Sequence, residues 1–211
     1  MSLSRYSSRW WIFFSMVSLC KAEIIYQDLP LVPTFALAHG VLMGLAFAII
    51  FPLGAILLRV PHSKLSIKIH IICQVLGVAL MIAGLATGVR VGRIIDRLHN
   101  NAHTIVGTVV VVFLLAQPLV GVYHHRRFRA TQTQSVWTFV HVWLGRIMLV
   151  LGIVNGGMGL RLAANTTAGN IAYGVLAGAF GVVYVGVAAW KGGLKLGRKE
   201  KKSPSHEEIE I

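Results

Sequence analysis

Four histidines stand in stretches that otherwise carry almost no charge. His39 lies in FALAHGVLMGLAFAIIFPLGAILLR, His70 in HIICQVLGVALMIAGLATG, His103 in HTIVGTVVVVFLLAQPLVG and His141 in FVHVWLGRIMLVLGIVNGG. A buried imidazole needs a partner, and none stands near these in sequence. Neutral imidazole is also the commonest protein ligand for a metal ion. One such histidine is as readily a hydrogen-bonding group between helices as a ligand. Four of them, one in each of four consecutive apolar segments and each a few residues from its start, could form two ligand pairs. The other five, His62, His99, His124, His125 and His206, read as loop or tail residues.

The segments that must position them follow from composition. Of 211 residues, 55% are hydrophobic and 13% charged, with mean hydropathy +0.71. Soluble domains carry roughly 25% charged residues, so an integral membrane protein is expected. Five stretches are long enough to span roughly 30 Å of hydrocarbon: Thr34–Leu58, Ile69–Val89, Ala102–Tyr123, Val136–Leu160 and Asn170–Trp190. They show no period-two alternation, which favours helices over a barrel. All seven acidic residues fall outside them, and Arg146 is the one charge within. The expected fold is an all-α membrane protein of five helices, or six if the N-terminal segment stays in the membrane.

That segment, residues 1–22, has Arg5 and Arg9 ahead of the short apolar run Trp10–Cys20, then small residues at Cys20 and Ala22. A cleaved signal peptide is the preferred reading over a sixth helix. Cys20 and Cys73 are the only cysteines, so no disulfide framework or thiolate metal site is expected. Arg59, Lys64, Lys68, Arg126, Arg127, Arg129 and six basic residues of the tail fall on one side; Arg90, Arg93, Arg97 and Arg161 fall on the other. The positive-inside rule makes the first side, and the C-terminus, cytosolic. The net charge of +13 is thereby a topology signal, and no nucleic-acid partner is expected. A sequon, Asn165-Thr166-Thr167, falls in a short outer loop. The domain expected is 34–190. Residues 191–211 are read as a solvated, mostly disordered tail near anionic lipid, and no soluble domain fits elsewhere.

Alternating direction brings His39 and His103 to one depth near the outer face, and His70 and His141 to one depth near the cytosolic face. In an up-down-up-down bundle, helices one and three are diagonal, as are two and four, so each pair faces across the axis. That arrangement suits the iron of a flat macrocycle held from both sides, with no open position, as in electron transfer. Zinc or copper transport is the rival, but such sites usually recruit carboxylates or thiolates. Gly40, Gly107 and Gly145 are small residues near the candidate ligands, though helix packing explains them equally well. Gln117 and Asn155 each lie fourteen residues past a histidine, at the depth of the opposite pair. They could bond a ligand imidazole or a cofactor carboxylate, or simply another helix. Pro52 and Pro118 could kink the first and third spans. Arg146 is expected to face the bundle interior, where it could pair with a cofactor carboxylate or bias the potential of the inner site.

The segments AHGVLMGLAFAIIFPLGAILLR, HIICQVLGVALMIAGLATG, AHTIVGTVVVVFLLAQPLVGVYHHRR and HVWLGRIMLVLGIVNGGMGL resemble the core of the eukaryotic cytochrome b561 family. The similarity runs from about Thr34 to Trp190 and is greatest to the branch usually fused to DOMON domains. The resemblance implies two haem b groups, His39 and His103 ligating the outer one and His70 and His141 the inner. It also implies an oxidoreductase that carries electrons across the membrane, from cytosolic ascorbate to an outer acceptor such as monodehydroascorbate or ferric iron. No DOMON domain is recognised in the chain, so an outer redox partner would come from another protein. The loop RVPHSKLSIK gives no secure ascorbate pocket. The expected setting is a plasma membrane or endomembrane, with lipids, small donors and acceptors as partners and either a monomer or a homodimer compatible. A haem-containing anchor exchanging electrons with quinone, and a histidine-containing transporter without haem, are the alternatives.

Overall fold

A computed structural model describes residues 26–59 and 64–200 of the chain. Among the described residues there are helices and turns and no strand. Five helices are long and apolar enough to cross a membrane: Gln27–Leu57, Lys64–Ile94, Ala102–Thr131, Val136–Leu162 and Thr167–Val187. They are called the first to fifth helices here. Each coincides with a span expected from hydropathy, and most run past it. Hydropathy marks only the hydrocarbon-deep part, whereas a nucleated helix propagates into the headgroup layer. The fifth shows this most, since its helix is Thr167–Glu200. The first half of the expected disordered tail is therefore helical. The proposed signal segment and residues 201–211 lie outside the described residues.

Short turns reverse the chain after the second, third and fourth helices. Each turn carries one residue at positive φ, Asp96 (51°), Gln132 (54°) and Ala164 (49°), which turns the chain away from the helix axis. Asn101 caps the third helix by accepting the Thr104 N–H at 3.0 Å. The first helix packs along the second and the third along the fourth, while the first also meets the fourth; of the neighbouring pairs, the second and third touch least. Helices one and three are thus diagonal, as are two and four. The fifth packs outside, against the first and fourth. There the Tyr173 hydroxyl donates to the Ile153 carbonyl (2.8 Å) and the Arg59 guanidinium sits 4.5 Å from the Tyr184 ring centre. At the other end of the bundle Arg90 pairs with Asp28.

The two prolines behave differently. Pro52 follows a π-helical stretch, Leu45–Ile50, in which the Phe51 N–H reaches back to the Ala46 carbonyl. The widened turn absorbs the disruption that a proline inside a helix imposes. Pro118 lies within an uninterrupted α-helix.

The core lies midway along the bundle. Phe47, Phe51, Met81, Val110, Val111, Leu114 and Met148 are all buried there, and the Phe47 and Phe51 rings meet edge to face at 5.3 Å. Lipid is as apolar as these side chains, so close packing, not water exclusion, holds them. Glycines provide the room: a Cβ on Gly77 would strike the Phe51 ring, and one on Gly152 the Phe47 ring. Gly157, on the same helix as Gly152, faces open space. Gly152→Ala should therefore cost about 1–3 kcal/mol by overpacking, while Gly157→Ala should be neutral or slightly stabilising. Unfolding of the two variants in the same detergent checks this contrast.

Candidate functional site

Three of the four histidines of the bundle are held in a common way. Three use ring Nδ1 to bond a backbone carbonyl on the antiparallel neighbour: His39 to Gly84 (2.7 Å), His70 to Gly54 (3.0 Å) and His103 to Asn155 (3.0 Å). A helical carbonyl already accepting from its own helix keeps a second lone pair for such a donor. Bonding at Nδ1 fixes the tautomer and ring orientation and leaves Nε2 as the free, basic nitrogen. His141 is the exception. Its Nδ1 is buried with no hydrogen-bond partner among the described residues.

Carbonyls are accessible to these rings because glycines stand opposite them. A Cβ on Gly88 would lie 2.5 Å from His39 Nδ1, on Gly159 2.7 Å from His103 Cε1, and on Gly121 2.9 Å from His141 Cε1. Sequence reasoning missed these glycines, yet a signal existed. Gly88, Gly121 and Gly159 each follow a histidine of their own helix by eighteen residues: His70, His103 and His141. Eighteen residues are five turns of 3.6, so histidine and notch share one face at opposite ends of the helix. The first helix departs from this, with Leu57 at that spacing.

One diagonal pair comes together. The His39 and His103 ring centres are 5.9 Å apart with planes at 84°. That separation matches two imidazole–metal bonds of about 2 Å each plus the two ring radii. Among the described residues no group of three or more His, Cys, Asp or Glu could hold a bare metal ion. Two imidazoles per site suit a metal that brings its own in-plane ligands, and the residues present fit a bis-histidine haem.

The remaining sequence candidates fall into place less uniformly. Asn155 sits beside His103 but meets it through its backbone carbonyl; its side chain faces Gly107, and its Oδ1 is buried without a partner. Gln117 faces Gly145 across the same helix pair, with both amide atoms buried and without a hydrogen-bond partner among the described residues. The two helices thus repeat one pattern with identical spacing, His103–Gly107–Gln117–Gly121 and His141–Gly145–Asn155–Gly159. Gly40 faces open space. Arg146 is half-buried, its guanidinium 4.8 Å from the Trp143 ring centre. A lone cation in a membrane helix finds an aromatic face where no carboxylate is available. His124 and His125, expected in a loop, lie in the third helix, and His124 stacks on His141 at 5.9 Å.

Residues 30–127 match a family described as a domain of unknown function, DUF2427. A cytochrome b561 and DOMON domain-containing protein of Arabidopsis thaliana is 33% identical over 141 residues, which is 64% of this chain and 34% of that protein. A second Arabidopsis protein of the same description is 29% identical over 129 residues, 59% of this chain and 32% of its own length. The chain is related to the cytochrome b561 family. It spans about a third of the length of these relatives. No solved structure matches it.

Proposed function

We propose that the chain carries electrons across a membrane through two haem b groups, each held by one diagonal pair of histidines. The observation that carries this reading is the convergence of His39 and His103 from diagonal helices at 5.9 Å, with both Nδ1 atoms committed to backbone carbonyls. Haem b bound by two imidazoles supplies a one-electron iron couple with no open coordination position. His39 and His103 serve the outer group, His70 and His141 the inner. The carbonyls of Gly84, Gly54 and Asn155 orient three of these rings and leave Nε2 as the free nitrogen. Gln117 and Asn155 offer buried amides to the edges of the two groups. The Phe47, Phe51, Met81 and Val110 layer between the two levels excludes water, so charge crosses as electrons and not as ions. Fifteen residues separate His39 from Gly54, whose carbonyl bonds His70. The two levels thus lie about 22 Å apart along the helix.

The wider assignment also belongs to this proposal. The basic loops and tail make the His70–His141 side cytosolic, in a plasma membrane or endomembrane. A small reductant of the ascorbate kind delivers electrons there, and an outer acceptor such as monodehydroascorbate, ferric iron or a partner redox protein receives them. The names of the Arabidopsis relatives favour an electron carrier over a transporter without haem.

Substitutions should sort by diagonal. His39→Leu and His103→Leu should remove one and the same haem, and His70→Leu and His141→Leu the other, as read by reduced-minus-oxidised spectra. Gly159→Val should fall with the first pair and Gly121→Val with the second. Depletion of one spectral component by both His39→Leu and His70→Leu would contradict the pairing.

The relay itself is tested in sealed, oriented vesicles with reductant on the cytosolic side. His103→Leu protein should reduce its inner haem at the wild-type rate. His70→Leu protein should keep the outer haem but reduce it far more slowly. Fast outer-haem reduction in His70→Leu vesicles would show that electrons do not travel in series.

A further inference from the structure

His141 lacks the anchor that the other three histidines share. The ring of His124 lies against it instead, centres 5.9 Å apart and planes only 22° from parallel. His124 sits on the third helix three residues past Gly121, whose missing side chain makes room for His141. Its own orientation is fixed, because its Nδ1 is 2.9 Å from the Thr138 hydroxyl. That hydroxyl also accepts the Ser135 N–H at 3.3 Å, which leaves its hydrogen free for His124. Thr138 and His141 are three residues apart, on one face of the fourth helix. The His124 ring therefore lies across both, clipped to one and stacked on the other.

We propose that His124 is a positioning residue for the inner haem ligand. Its ring, clipped to Thr138, takes over by stacking the orienting task that a carbonyl performs for His39, His70 and His103. It thereby sets the plane in which the His141 imidazole presents Nε2. This inference rests on the reading of His141 as a haem ligand. Ligand orientation and outer-shell contacts tune a haem iron's spectrum and potential, so the consequence is measurable without any turnover assay.

The test compares wild-type holoprotein with His124→Ala, His124→Phe, Thr138→Val and, as reference, His141→Leu. Each is purified with its haem and followed by electron paramagnetic resonance and redox titration. His124→Ala should shift the low-spin signal and midpoint potential of the haem that His141→Leu removes, leaving the other unchanged. His124→Phe should restore the wild-type signal, because a flat ring can still stack. Thr138→Val should shift the same signal by less. Wild-type spectra for His124→Ala, or a His124→Phe signal as displaced as that of His124→Ala, would overturn the inference while the haem assignment stands. Retention of both haems in His141→Leu would instead overturn the assignment on which it rests.

Discussion

The hydrogen bond from an imidazole Nδ1 to a carbonyl of the antiparallel neighbour is the constraint from which the rest of this bundle follows. In hydrocarbon a buried polar group finds only protein partners. Among those, the spare lone pair of a helical carbonyl is everywhere available, but it is shielded by side chains. Glycine removes the shield. His39 on Gly84, with Gly88 beside it, shows the full arrangement: notch, carbonyl, ring and a remaining nitrogen directed elsewhere. Each bond ties two neighbouring helices and leaves Nε2 free, so one small motif sets both the packing and the candidate site.

The motif also explains why the apolar core sits where it does. Histidines occupy the two ends of the four-helix unit, and Phe47, Phe51, Met81 and Val110 fill the layer between. The third and fourth helices carry the same spacing of histidine, glycine and amide, running in opposite directions. Each of these two helices thus offers a histidine at one level and a notch at the other. The fifth helix joins this unit only from outside, through Tyr173 and Tyr184. It carries none of the four histidines.

Much of this was legible in the sequence, because depth and direction are written in one dimension. Five apolar spans, alternating direction and one histidine near the start of each of four gave the fold and brought His39 to His103. Asn155 was placed at the correct level by helical rise, although its backbone and not its amide meets His103. What was not legible depends on rotation about helix axes. Arg146 turns to Trp143, and His124 turns inward onto His141 where a charged run, HHRRFR, reads as a loop. The π-helical widening before Pro52 could not be told from a kink by composition. The eighteen-residue spacing of ligand to glycine was readable all along, and it acquires meaning only once antiparallel neighbours are known.

The central claim is that this single chain holds two irons, each between two imidazoles. The most direct measurement is the haem content of the purified protein together with its low-temperature electron paramagnetic resonance spectrum in the oxidised state. The account predicts two haem b per chain and two distinct low-spin signals of the bis-imidazole kind. A protein that binds no haem when expressed with ample haem supply, or whose iron is high-spin with an open position, would contradict it.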